Sequence, residues 1–232
     1  MNDHTIDTPG GILVIDKEKG MTSHDVVDAV RRRFRIKKAG HAGTLDPNAT
    51  GVLVLLLGKA TKLSNELLND EKEYEALMKL GERTDSGDRD GEVILSREVK
   101  VSEERIKETI AGFRGEMEQV PPMVSAKKVD GVRLYKLARR GMEVERKPHK
   151  IRVTEIEVTH IGLPLVRFRT VCSKGTYIRQ LAEDIGEKLG CGAHLVDLRR
   201  LRSGQFSLDK AVPFSKLMQW DTDTLNENIL RV

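Results

Sequence analysis

The stretch GVLVLLLG, Gly51 to Gly58, constrains the fold more than any other. Its six consecutive aliphatic residues, Val52 to Leu57, offer no polar side to water, so the segment must be covered on both faces. It has the length of a strand rather than of a helix, and it is far short of the roughly 20 apolar residues that a membrane-spanning helix needs. A chain carrying it must build a layered sheet. Only 4% of the residues are aromatic against 38% hydrophobic, so the core is one of Val, Leu and Ile.

The flanking patterns supply the other layers. GILVID, Gly11 to Asp16, reads as a second buried strand. In GMTSHDVVDAVRRRF, Thr22 and Asp25 have capping-box spacing, and Val26, Val27, Val30 and Phe34 share one helical face. Ala60, Leu63 and Leu67 suggest a short helix, while Tyr74, Ala76, Met78 and Leu80 alternate as one face of a strand. GERTDSGDRDGE reads as a loop, and a helix over 102–112 opens at Ser102. PPMVSAKKVDG cannot be regular through its Pro pair; a short basic helix follows over Leu134 to Gly141. Ile151 with Val153, and Ile156 with Val158, predict two short strands; Leu165 to Cys172 predicts another. Tyr177, Leu181, Ile185 and Leu189 mark a helix that stops at Gly190. Strands and helices without a regular βαβ rhythm give an α+β fold, with a central mixed or antiparallel sheet flanked by helices.

Net charge is only +4, but it is unevenly spread. Glu66 to Glu92 holds 10 acidic and 4 basic residues, whereas Lys127 to Arg152 holds 10 basic and 3 acidic. A second basic cluster, RRRFRIKK, covers Arg31 to Lys38. Such clusters suit a phosphate backbone, since neutralising phosphates releases counterions; a solvated helix face is the plainer reading. MNDHTIDTPG contains no apolar leader, which reads as a cytoplasmic protein. Cys172 and Cys191 have neither CxxC spacing nor neighbouring His pairs, so both read as small buried residues. Gly51 and Gly58 are seven apart and Lys59 is followed by Ala60, which breaks phosphate-loop spacing, and GxGxxG, HExxH and GxSxG are absent. The residues point to chemistry without metal or cofactor.

That leaves single carboxylates. Asp46, in the loop GHAGTLDPNATG that feeds the buried strand, is held by Pro47 at the strand edge. Asp-Pro by itself reads as a turn. The stretch HAGTLDPNATGVLVLLLGKATKL, His41 to Leu63, resembles the signature of the TruB family of tRNA pseudouridine synthases. GILVIDKEKGMTSHDVV, YEALMKLGERTDSGDRDGE, PPMVSAKKVDGVRLYKLARRG and CSKGTYIRQLAEDIGEKLGCGAHLVDLRRLRSG resemble its other blocks, in order, from about residue 11 to 213.

The resemblance implies a catalytic domain over 11–213 that turns the uridine at position 55 of the tRNA T-loop into pseudouridine by flipping the base. It implies Asp46 as nucleophile, attacking either C6 of the ring or C1′ of the ribose, and Arg179 as its ion-pair partner. Tyr74 is implied as the stacking platform and a candidate base at C5. His41 would enter the gap the uridine leaves, Tyr177 and Leu198 would line the uridine pocket, and Lys17 would lie near the cleft. The insertion from about 121 to 150 resembles a thumb closing on the T-arm, with Lys127, Lys128, Arg139, Arg140, Arg146 and Lys147 as phosphate contacts. The resemblance implies no metal, no cofactor and no obligate protein partner. Residues 214–232 read as a short tail, too short for the PUA domain of many relatives. Three departures, Glu18 for a common Pro, Val124 for Tyr and Lys127 for Leu, lie outside the implied chemistry. Rival readings are a guide-RNA-dependent catalytic subunit, an RNA-folding chaperone and an Asp-nucleophile glycoside hydrolase, the last needing a second carboxylate.

Overall fold

A computed structural model describes residues 10–231 except Val124, Ala126, Asp130, Tyr135, Lys136, Ala138, Arg139, Arg140, Gly141 and Glu143. Along the chain come β1 (Gly11–Lys17), α1 (Ser23–Phe34), β2 (Ala39–His41), β3 (Thr50–Leu57), a 3-10 turn (Gly58–Leu63), α2 (Ser64–Leu68) and β4 (Lys72–Leu80). Next are β5 (Glu82–Thr84), β6 (Val93–Ser96), α3 (Glu103–Ala111), β7 (Gly115–Gln119), β8 (Lys128–Val129), β9 (Val132–Arg133), β10 (His149–Gly162), β11 (Leu165–Cys172) and α4 (Ile178–Lys188). β12 (Ala193–Ser203), β13 (Phe206–Ser207), β14 (Val212–Pro213), α5 (Phe214–Leu217), α6 (Thr222–Asn228) and β15 (Leu230–Arg231) complete it. The chain forms two compact units, one up to Tyr74 together with Leu198 onward, the other Glu75–Asp197. Among the described residues no helix is long and apolar enough to cross a membrane.

In the first unit the strand order is β14-β1-β3-β12. β1 runs antiparallel to β3, from Gly11 opposite Leu57 to Lys17 opposite Gly51, and parallel to β14. β3 also pairs parallel with β12, at Arg199 opposite Thr50 and Arg200 opposite Gly51. The sheet is therefore mixed, and with the flanking helices the fold is α+β as expected. Val52, Val54 and Leu56 face a cluster with Ile12, Val14, Ala42, Ala60 and Phe206, closed by Leu63 and Leu67 of the 3-10 turn and α2. Leu53, Leu55 and Leu57 point the other way and are equally buried. Each buried Leu contributes about 1.5–3 kcal/mol, which is why this run tolerates no polar residue. α1 buries Val26, Val27, Val30 and Phe34, and its capping box forms as the spacing predicts, with Asp25 N donating to Thr22 Oγ1 and Thr22 N to Asp25 Oδ2.

In the second unit the order is β4-β11-β10-β7, with β10 antiparallel to both neighbours. The two short strands expected over 151–158 are one 14-residue strand, β10. Register shifts between Val153 and Glu155 and between Val158 and His160 account for the misreading. A bulge inserts one residue, so the inward face passes from odd to even positions. α4 begins after Tyr177, its N-cap, and the chain turns at Gly190 with φ +80°. β8 and β9 form a small hairpin that begins within the segment expected to be irregular and ends just beyond it. The expected basic helix over Leu134 to Gly141 falls largely outside the described residues. Both cysteines are buried.

Candidate active site

The Asp46 loop is held through its backbone at each of five consecutive residues. Buried Arg200 donates from Nη2 to Gly43 O at 3.1 Å and from Nη1 to Thr44 O at 3.4 Å. Buried Ser23, at the start of α1, both receives Leu45 N–H at 2.8 Å and donates to Leu45 O at 3.2 Å. Asp46 O accepts from Ala49 N, and Pro47 O accepts from Gly20 N at 3.0 Å and from Lys17 Nζ at 2.9 Å. Gly43, at φ +99°, supplies a turn that L side chains rarely make. The result is a loop without ladder bonds whose backbone is nevertheless fixed, with Asp46 half-buried.

Lys17 serves this loop from below. Its side chain is fully buried, and its ammonium donates to Glu18 O, Met21 O and Pro47 O at 2.8–2.9 Å. Burial pushes its pKa down to about 8, with Asp46 and Asp25 pulling it up and Arg200 pushing it further down. Arg200 reaches the loop because β12 pairs with β3 at Gly51; a Cβ there would strike the Arg200 carbonyl oxygen.

Two strands bring further side chains to the same place. A Cβ at Gly43 would lie 3.4 Å from Arg200 Nη1 and 3.8 Å from Lys72 Cε. Leu198 precedes Arg200 by two on β12, and Tyr74 follows Lys72 by two on β4, so both share a face with a side chain at the loop. Tyr74 is 8% and Leu198 9% exposed. Lys72 is itself buried, donating to the carbonyls of Leu68 and Asp70 at 2.8 and 2.7 Å. His41 ends β2 opposite Leu55, half-buried, one residue before Ala42 N donates to Val54 O.

Arg179 and Tyr177 belong to the second unit. Arg179, which spacing alone reads as a surface helix residue, is only 4% exposed. Its Nη1 donates to Ser86 O at 3.0 Å and lies 3.6 Å from Asp88 Oδ2. The loop that supplies both is close-packed, since a Cβ on Gly87 would meet Glu183 Oε1 at 2.7 Å. Burial raises the pKa of Glu183 against the pull of Arg83 and Arg179. Tyr177 is gripped by Gln119, which donates to its carbonyl and accepts from its N–H, and His149 meets its ring edge-on.

Of the expected phosphate contacts, Lys147 is exposed, Lys127 is half-buried, and half-buried Arg146 donates to Pro121 O at 3.2 Å. Lys128 lies on β8, and Arg139 and Arg140 lie outside the described residues. In the other basic cluster, Arg33 is engaged by the carbonyls of Met218 and Trp220 and Arg31 by Asp28. Ser23 and Arg200 escape sequence reasoning, because each acts across a contact that no local spacing reveals.

Comparison with known proteins identifies the family of the chain. The N-terminal domain model of TruB family pseudouridylate synthases matches residues 31–178, and that of the tRNA pseudouridylate synthase B C-terminal domain matches 179–232. The chain is 52% identical to the tRNA pseudouridine synthase B of Opitutus terrae, over 87% of this chain and 84% of that one. It is 48% identical to the Clostridium acetobutylicum protein of the same name, over 96% and 76%. Among solved structures it is similar to a chain of an H/ACA RNP bound to a substrate RNA containing 2′-deoxyuridine, with TM-score 0.73 and 31% identity. That match covers 95% of this chain but only 59% of the other. On these matches, the chain belongs to the TruB family of pseudouridylate synthases, enzymes that isomerise uridine to pseudouridine.

Proposed function

We propose that the chain isomerises the uridine at position 55 in the T-loop of tRNA, with Asp46 as nucleophile acting on a base flipped out of the RNA. The observation that carries this reading is the loop Gly43–Pro47, tied through its backbone at every residue, with Asp46 as its one carboxylate. The isomerisation breaks N1–C1′, turns the base and rejoins it through C5, with no net redox change. A carboxylate adding to C6 or to C1′ serves as the covalent handle, and the proton lost from C5 goes to a base or to water.

The remaining roles follow the family resemblance. Arg179 is the ion-pair partner of Asp46. Tyr74 stacks on the base, a contact worth about 1–3 kcal/mol. His41 replaces the departed base in the stack, offsetting part of the few kcal/mol that extrusion costs. Tyr177 and Leu198 line the pocket, and the basic thumb over 121–150 holds T-arm phosphates. A tRNA substrate is favoured over a guide-RNA system by the identities near 50% to tRNA pseudouridine synthases B, against 31–32% for the H/ACA chains.

The test uses tRNA transcript labelled with tritium at uridine C5. Asp46→Asn should bind the transcript as the parent does and release no tritium. Turnover by that variant, or tritium release by the parent from a transcript carrying cytidine at position 55, overturns the reading.

A further inference from the structure

We infer that Arg200 and Ser23 are positioning residues for Asp46, clamping its loop from two sides through backbone atoms alone; the inference rests on Asp46 being the nucleophile. Arg200 is 1% exposed, yet its guanidinium spends its donors on carbonyls at both ends of the loop. Nε reaches Val52 O at 2.6 Å beyond Asp46, and Nη2 and Nη1 reach Gly43 O and Thr44 O before it. One planar fork thereby fixes the distance between the loop's entry and its exit, which a single-headed ammonium cannot do. Ser23, 1% exposed, fixes the residue next to Asp46 by engaging Leu45 at both N–H and C=O.

A residue serving only to fill this space would be apolar, since burying a guanidinium is unfavourable without a full set of acceptors. The acceptors it has are carbonyls of the loop and of the strand that the loop enters. Gly51 permits the arrangement: with no Cβ, β3 lies against the Arg200 backbone, and the side chain is aimed under Gly43. Both side chains are buried and bond backbone atoms, so each acts through the placement of the carboxylate.

Arg200→Lys keeps the charge but not the fork, and Ser23→Ala removes two loop bonds while altering one atom. Each is measured for single-turnover rate at saturating tRNA, for tRNA dissociation constant and for thermal unfolding. Displacing a catalytic group by about 1 Å costs on the order of 10²-fold in rate. Arg200→Lys should lose rate on that scale and Ser23→Ala in the same direction, with the dissociation constant unchanged and the protein folded at the assay temperature. Parental rates in both variants, or losses that follow weakened tRNA binding or partial unfolding, overturn the inference. Should Arg200→Lys not fold, Ser23→Ala decides. If Asp46→Asn is inactive while these variants turn over normally, this inference fails and the nucleophile assignment stands; turnover by Asp46→Asn sinks the assignment itself.

Discussion

Replacing Lys17 with methionine should remove a pH dependence of stability that the fold builds in. The Lys17 ammonium is completely buried, and burial, the largest influence on it, lowers its pKa from 10.5 to about 8. The folded chain therefore releases this proton at about 8, while the unfolded chain keeps it until about 10.5. Between those values the unfolded state binds more protons, so the contribution of Lys17 to stability rises with pH across that window. Below it, the cost of holding a buried charge is present in full. At about 1.4 kcal/mol per pH unit, the gap is worth about 3 kcal/mol.

The methionine side chain would carry no such cost, but Glu18 O and Met21 O would lose the ammonium, at about 1–3 kcal/mol for each carbonyl left unsatisfied. That loss does not depend on pH. Urea unfolding of parent and variant from pH 7 to 10.5 separates the two contributions, because the other lysines, the tyrosines and the cysteines titrate in both proteins. The parent should gain about 3 kcal/mol relative to the variant between pH 8 and 10.5. Parallel stability curves would show that the ammonium is held as easily in the fold as in water, and would refute the argument.

Two further changes test the scaffold around the site. Gly51→Ala places a methyl against the Arg200 backbone, with its N and C at 2.8 and 2.9 Å and its carbonyl oxygen nearer, at a φ of +98°. It should cost about 3 kcal/mol or more, seen as a fall of roughly 6–12 °C in calorimetric Tm; a fall of less than about 2 °C would mean the strands part freely. Gln119→Leu removes both side-chain bonds to Tyr177. It should lower stability by about 1–3 kcal/mol in urea and raise KM for tRNA, and an unchanged KM would detach the Tyr177 backbone from substrate binding.

The elements legible in the sequence are those whose signal is local. Period and capping in TSHDVVDAVRRRF specify α1 to its cap bond, and an aliphatic run flanked by glycines specifies β3 and the layers over it. The single strand β10 was not legible, because each bulge resets alternation and its interruption looks like a strand end. Arg179 shows the other limit: its neighbours mark it as helical, but only the fold of the Ser86–Asp88 loop makes it buried and paired.

The site was legible as a loop and illegible as a support, for one physical reason. The loop that carries Asp46 lies between two strands, where no ladder is available to satisfy or fix the backbone. The fold substitutes side chains drawn from α1, β1 and β12, separated from the loop by 22, 30 and as many as 157 residues. Two of them, Lys17 and Arg200, are buried cations that take carbonyls as hydrogen-bond acceptors. Their charges add a positive field beneath the loop, and Asp46 is the largest charged influence on Lys17. The groups that hold the loop's backbone thus also put two positive charges beside it. This explains why the positions are filled by Lys and Arg when packing alone would select Met or Leu.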